Sequence, residues 1–134
     1  MENLKPIEIK AFVPARDFEL SKQFYRDIGF VMQSEGSGVA YFNFMQCAFL
    51  LQDFCTEALA NNFMIHLLVE DVDAWHAHIL NANIQEKYGS RISGIMLQPW
   101  RMRDFTFNDP SGVLWRIGQN SEFLDPNRRL TRAT

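Results

Sequence analysis

One order of local patterns occurs twice along this chain, and it constrains the fold more than any other feature. Ile7, Ile9, Ala11 and Val13 alternate with Glu8, Lys10 and Phe12, between Pro6 and Pro14. Apolar residues at period two, bounded by prolines, specify a strand. Asp17 follows, with the carboxylate that caps the free amides of a helix's first turn. Leu20, Phe24 and Ile28 then recur at helical spacing, with Tyr25 beside them, and Gly29 suits the left-handed position that ends a helix. Three strands are expected next, over 30–34, Val39–Phe44 and Cys47–Gln52, with the turn Gly36-Ser37-Gly38 after the first.

The same order then returns. Residues 63–69 read as a strand, and Asp71 caps a second helix with Val72, Trp75, Ile79 and Leu80 on one face. Asp73 sits in its first turn, where negative charge is favoured, and Asn81 and Asn83 mark its end. A short strand is expected near Ile84, and 88–100 has the character of a loop. Residues 103–108 and 113–118 form a hairpin around Asp109-Pro110-Ser111-Gly112, whose Pro and Gly occupy the positions a type I turn favours. A loop over 54–62 joins the halves. The prediction is an α+β chain of two βαβββ modules, about 7–52 and 63–118, with a C-terminal surface arm over 119–134.

The 134 residues suit a single domain, 1–134, long enough to bury a core without disulfides or structural metal. A net charge of −3 offers no basic footprint, so nucleic acid is not an expected partner. The longest uncharged stretch, 36–52, is interrupted by Ser37, Asn43 and Gln46 and reads as strands rather than a membrane helix. Cys47 and Cys55 make no CxxC pair, and the first residues lack the basic-then-apolar pattern of a secretory leader. A cytoplasmic protein is expected.

Two segments carry a family resemblance. Ala15-Arg16-Asp17-Phe18-Glu19-Leu20-Ser21-Lys22-Gln23-Phe24-Tyr25-Arg26-Asp27-Ile28-Gly29-Phe30 is similar to the D-x-x-x-S-x-x-F-Y-x-x-x-G-F opening of the glyoxalase/bleomycin resistance/dioxygenase superfamily. Gln98-Pro99-Trp100-Arg101-Met102-Arg103-Asp104-Phe105-Thr106-Phe107-Asn108-Asp109-Pro110-Ser111-Gly112 resembles the Q-P-W…D-P-x-G stretch of its bleomycin resistance branch. The resemblance covers about 7–118. It implies sheets curled into a cup, helices packed outside, and a homodimer with a ligand cleft at each end of its interface.

Catalytic members of that superfamily hold a divalent metal through His, Gln or Glu. The matching positions here fall on Lys10, Met64 and Arg116. Cations repel a divalent ion, and a thioether is a poor ligand for hard or borderline ones. No metal and no cofactor are therefore expected, and enzymatic turnover is disfavoured. His76 and His78 are two apart on a helix, point in different directions, and read as solvated imidazoles. His66 shares the face of Met64 by period two. It either fills the sheet interior as a hydrogen-bonded side chain or matches a cleft position of the drug binders.

Stacking and hydrogen-bonding groups then become the chemistry to locate. By resemblance Trp100 lines the cleft; its alternative is to anchor a loop. Alternation puts Phe42 and Phe44 on one strand face and Tyr41 and Asn43 on the other, and either face could line a cup; Phe42 and Phe44 enter the candidate set. Phe24, Tyr25, Trp75 and Trp115 are assigned to helix–sheet packing. Lys10 and Arg116 complete the candidates: they favour a neutral or anionic ligand, or are paired by Glu8 and Asp104. The expected function is non-enzymatic binding and sequestration of a bleomycin-type antibiotic or similar planar compound. The alternative is a metal-dependent lyase, isomerase or dioxygenase using other ligands, such as Glu8 and His66.

Overall fold

A computed structural model describes residues 2–121. In chain order its elements are β1 (Phe12–Pro14), α1 (Phe18–Asp27), β2 (Val31–Gly36), β3 (Val39–Phe44), β4 (Cys47–Gln52) and α2 (Glu57–Asn61). There follow β5 (Met64–Leu68), α3 (Val72–Asn81), α4 (Ile84–Tyr88), β6 (Met96–Gln98), β7 (Met102–Asn108) and β8 (Leu114–Asn120). Two four-stranded mixed sheets result, ordered β1-β4-β3-β2 and β5-β8-β7-β6. In each, the first strand lies parallel to the last and the other pairs are antiparallel. The repeat expected from element order is thus a repeat of topology.

Local chemistry explains the element starts. Asp17 accepts from the Leu20 amide at 3.1 Å, and Asp71 from the Ala74 amide at 2.9 Å. Gly29 has φ +105° and leaves α1 at once; a Cβ there would also lie 3.1 Å from the Phe44 ring.

Several expectations are corrected. The strand read over 7–13 is only Phe12–Pro14. Its last backbone link toward the N-terminus is the Leu50 amide to the Ala11 carbonyl, at 3.0 Å. Beyond it Glu8 accepts from the Tyr41 hydroxyl at 3.1 Å and from the Lys10 ammonium at 2.6 Å, while Ile7 and Ile9 stay 98% and 94% exposed. The polar side of the alternation is tied down, and the apolar side stays open to solvent. The region near Ile84 is a helix, not a strand. Asn83 breaks α3 with φ +57°, and Ile84, fully buried, anchors the next turn. The joining loop contains α2, capped by Thr56. Leu20 and Leu80 remain partly exposed, and Tyr25 is the side chain that α1 buries instead of Leu20. Residues 119 and 120 belong to β8, and the Ser121 amide donates to the Arg101 carbonyl at 2.9 Å; the rest of the expected C-terminal arm, with Arg128, Arg129 and Arg132, lies outside the described residues.

The helices cover one face of both sheets, and a single apolar cluster runs through both modules. It joins Phe24, Tyr25 and Ile28 of α1 to Phe42, Phe49 and Leu51 of the first sheet and Phe105, Phe107, Trp115 and Ile117 of the second. The Tyr25 ring lies 4.8 Å from Phe49 and 5.7 Å from Trp115. Its hydroxyl donates to Asp109 Oδ2 at 2.6 Å and accepts from Trp115 Nε1 at 3.0 Å. The other carboxylate oxygen of Asp109 accepts the Ser111 and Val113 amides at 2.9 Å each. Arg16 adds a bond from its amide to Ser111 Oγ at 2.9 Å. The β7–β8 turn therefore doubles as the clasp between modules. His78 is exposed, as expected, and His76 is half-buried, but each imidazole also has a partner in the fold. They donate to the carbonyls of Ile28 at 2.8 Å and Ser93 at 2.9 Å, tying α3 to the end of α1 and to the segment before β6.

Burial pushes the Asp109 carboxyl above its usual range, against the pull of Tyr25 and the turn amides. Tyr25→Phe removes that donor and is expected to cost about 2 kcal/mol or more, read from denaturant melts. It raises the Asp109 value further. The deficit should therefore grow as pH rises from the acid side of the carboxylate range toward neutrality, and shrink where Asp109 is protonated in both proteins.

Candidate functional site

Period-two alternation gives each sheet a helix-covered face and an open face. On β5, Ile65 and Leu67 pack on the core while Met64 and Leu68 are exposed; His66 shares their side. On β8, Trp115 and Ile117 go inward, leaving Arg116 and Gly118 on the open side. On β7, Phe105 and Phe107 go inward and Asp104 outward.

A polar network occupies this open face of the second sheet. Arg116 donates to Asp104 Oδ2 at 3.0 Å, and Gln98 Nε2 donates to Asp104 Oδ1 at 2.9 Å. Asp104 is only 1% exposed although it stands on the open face, because these two side chains cover it. His66 is the ladder partner of Arg116. Its Nε2 lies 3.0 Å from Met102 Sδ, so the two side chains meet across β8. They can do so because residue 118 is glycine: a Cβ there would sit 2.5 Å from that sulfur and 3.1 Å from the imidazole nitrogen.

Two adjoining clefts run along the seam between β4 and β5. The first holds about 360 Å³ and is walled by Phe30, Phe49, Ile65, Leu67 and Trp115, with His66 and Glu8 on its border. The second holds about 370 Å³ and lies between Phe44, Trp75 and the start of α3. Both share Gln46, Cys47 and Leu67. These volumes fall in the range of small-molecule sites, and apolar walls with a few polar groups are their usual lining.

The candidates named from sequence are distributed as follows. His66 borders the first cleft; Arg116, its ladder partner, stands on the open face of the sheet and does not line that cleft. Lys10 pairs with Glu8, and its ammonium lies 5.2 Å from the Tyr41 ring centre. Both cations thus take the carboxylates named for them. The Lys10 hydrogen bond holds Glu8 below the usual carboxylate range, against partial desolvation. Trp100 is 57% exposed at the tip of the β6–β7 hairpin, next to Arg101 with φ +68°, and borders neither of these clefts. Of Phe42 and Phe44, only the first is corrected. Phe42 is fully buried, stacked on Phe49 at 5.6 Å, and Phe44 packs on Trp75 at 4.9 Å. Their strand face is the one the helices cover; Phe44 reaches only the second cleft. Met102, Gln98 and Gly118 were not singled out, since no spacing in the sequence shows that three different strands converge.

The donor set does not fit a divalent metal. Lys10 and Arg116 are paired cations, and Glu8 already serves Lys10 and Tyr41. Among the described residues no three His, Cys, Asp or Glu side chains converge. No helix among them is long and apolar enough to cross a membrane.

No family model matches the chain, and no curated protein matches it in sequence. Solved structures match its fold. A bleomycin-binding protein complexed with bleomycin superposes with a TM-score of 0.75 at 24% identity, covering 85% of this chain and 98% of that one. An antibiotic-binding protein from a Streptomyces species gives 0.69 at 24% identity, over 90% of this chain and all of the other. A lactoylglutathione lyase from Agrobacterium tumefaciens gives 0.61 at 18% identity, over 86% and 95%. The chain has the fold of the bleomycin resistance proteins and of glyoxalase/bleomycin resistance/dioxygenase proteins.

Gly118→Ala tests how the site is held. The atoms it would meet first belong to the flexible Met102 side chain, so stability should change by no more than about 1 kcal/mol. The His66 ring and Met102 methyl resonances should nevertheless both move in NMR spectra. Unmoved resonances would show that the two side chains do not meet over residue 118.

Proposed function

We propose that this protein binds and sequesters a small, planar, amphipathic compound, of the bleomycin type or similar, without turnover and as a homodimer. The observation that carries the reading is a cleft of ligand size whose walls are aromatic and aliphatic. The residues that the resemblance equates with metal ligands, Lys10, Met64 and Arg116, pair with charges or present an apolar surface. Such a lining holds a ring system by contact and orients it by a few hydrogen bonds; its donor set does not suit a divalent ion that would polarise a substrate oxygen.

His66 at the cleft and Arg116 on the open face are the polar groups of the site in this reading. In the homodimer of this reading the half-exposed Trp100 indole, which borders neither cleft of its own copy, supplies a stacking face to the cleft of the second copy, and Lys10 closes the rim. The second copy supports the same scheme. Ile7, Ile9, Met64, Leu68 and Trp100 leave much apolar surface uncovered, and a two-fold interface is the common way to bury such a surface. The free thiols of Cys47 and Cys55 fit a reducing, cytoplasmic setting.

A thermal-shift screen of planar aromatic antibiotics, bleomycin included, checks the binding. A true ligand at a hundredfold excess over Kd raises stability by about 2.7 kcal/mol. At least one compound should raise the melting temperature and quench tryptophan fluorescence, and Trp100→Ala should weaken it about tenfold. No hit in the panel, or stoichiometric metal in freshly purified protein that His66→Ala removes, would overturn the proposal. Sedimentation should give a mass near twice 15.6 kDa. A monomer at micromolar concentration would remove the shared interface.

A further inference from the structure

The second cleft lies outside the site assigned to sequestration, and it carries an unbalanced charge. It forms where the β3–β4 hairpin meets the connection from β5 to α3. Phe44 and Trp75, whose ring centres are 4.9 Å apart, join Leu67 and Leu68 in an apolar lining. Its volume of about 370 Å³ suits a small molecule. The charged residues of the lining are Glu70 and Asp71; among the described residues no lysine or arginine lines it. Glu70 is exposed and makes no hydrogen bond or ion pair with another described residue. The next acid along the chain, Asp73, is held by both terminal nitrogens of Arg103 at 2.9 and 3.0 Å, so that pair adds no net charge.

The start of α3 does not reverse this sign. Its Val72, Ala74 and Trp75 amides donate to the Gln119 side chain, the Asp71 carboxylate and the Asp71 carbonyl. A helix start whose amides are bonded has fewer donors to offer an anion. An unpartnered carboxylate beside an aromatic lining suits a ligand with an apolar body and a cationic head. Trp75 contributes as well, since an indole face attracts a cation that lies over it. We propose that the second cleft is a separate site for an amphipathic amine, its ring against Phe44, Trp75 and Leu67 and its ammonium at Glu70. The sequestration reading concerns the first cleft, and neither requires the other.

A matched pair of probes tests this. Naphthylmethylamine, charged at neutral pH, and naphthalenemethanol share a ring system and differ in the charge. Titrated into the full-length protein at low ionic strength and followed by NMR, the amine should bind about tenfold more tightly than the alcohol. It should move the Trp75 indole and Ala74 methyl resonances rather than those of His66 and Trp115. Glu70→Gln should remove most of the preference, Glu70→Asp should keep part of it, and high salt should weaken it. Glu70 is exposed and holds no other described residue, so these variants put little of the fold at risk. Equal affinities for the two probes, no binding of the amine, a preference unchanged in E70Q, or shifts confined to His66 and Trp115 would each overturn the second site. None of these results bears on sequestration of a planar compound by the first cleft, which the thermal-shift screen reads separately.

Discussion

The hydrogen bond from the Tyr25 hydroxyl to Asp109 is the point on which the two modules depend. It joins a helix of the first module to the β7–β8 turn of the second inside an apolar cluster, at 2.6 Å. Neither partner is stable there alone. A buried carboxylate without donors and a buried phenol without an acceptor each carry a desolvation penalty. Together with the Trp115 indole and the turn amides they satisfy one another. The same turn that reverses the chain thereby fixes how the second sheet sits on α1.

That clasp decides which faces remain open. Once α1 and α3 cover one side of both sheets, every second residue of each strand is committed to the core. Phe42 and Phe49 stack beneath the helices, and Phe107 lies 6.0 Å from Trp115 in parallel. The other residues of the same strands, His66, Asp104, Arg116 and Gly118, are left to face outward. Much of the chain's aromatic surplus is therefore structural, and the outward face is polar with methionines. Its charges cancel in pairs, so its chemistry rests on which donors are still free after pairing.

The open face also shows how a small residue sets a site. Met102 and His66 lie on strands separated by β8, and only the missing Cβ of Gly118 lets their ends meet. Gln98 and Asp104 come together by a hairpin whose tip is Trp100. None of these contacts is local in sequence, and each follows from the register of three strands.

The order of elements was legible from sequence because it rests on local rules: alternation, helix spacing, Asp caps and the Asp-Pro-Ser-Gly turn. Those rules located β3 and β4 to the residue and both long helices by their caps. Pairing of the cations by Glu8 and Asp104 was one of two alternatives the sequence left open, and the structure shows it for Lys10 and Arg116. The local rules failed at Ile84, where one left-handed Asn restarts a helix, and along 7–11, where alternation existed without a surface to bury it. Which strand face the helices cover was the decision left to tertiary structure. Period two gives two equivalent faces, and only the packing of α1 and α3 distinguishes Phe42 from Tyr41. The same packing assembled His66, Met102, Asp104 and Arg116 into one surface, because residues that far apart meet through strand register alone.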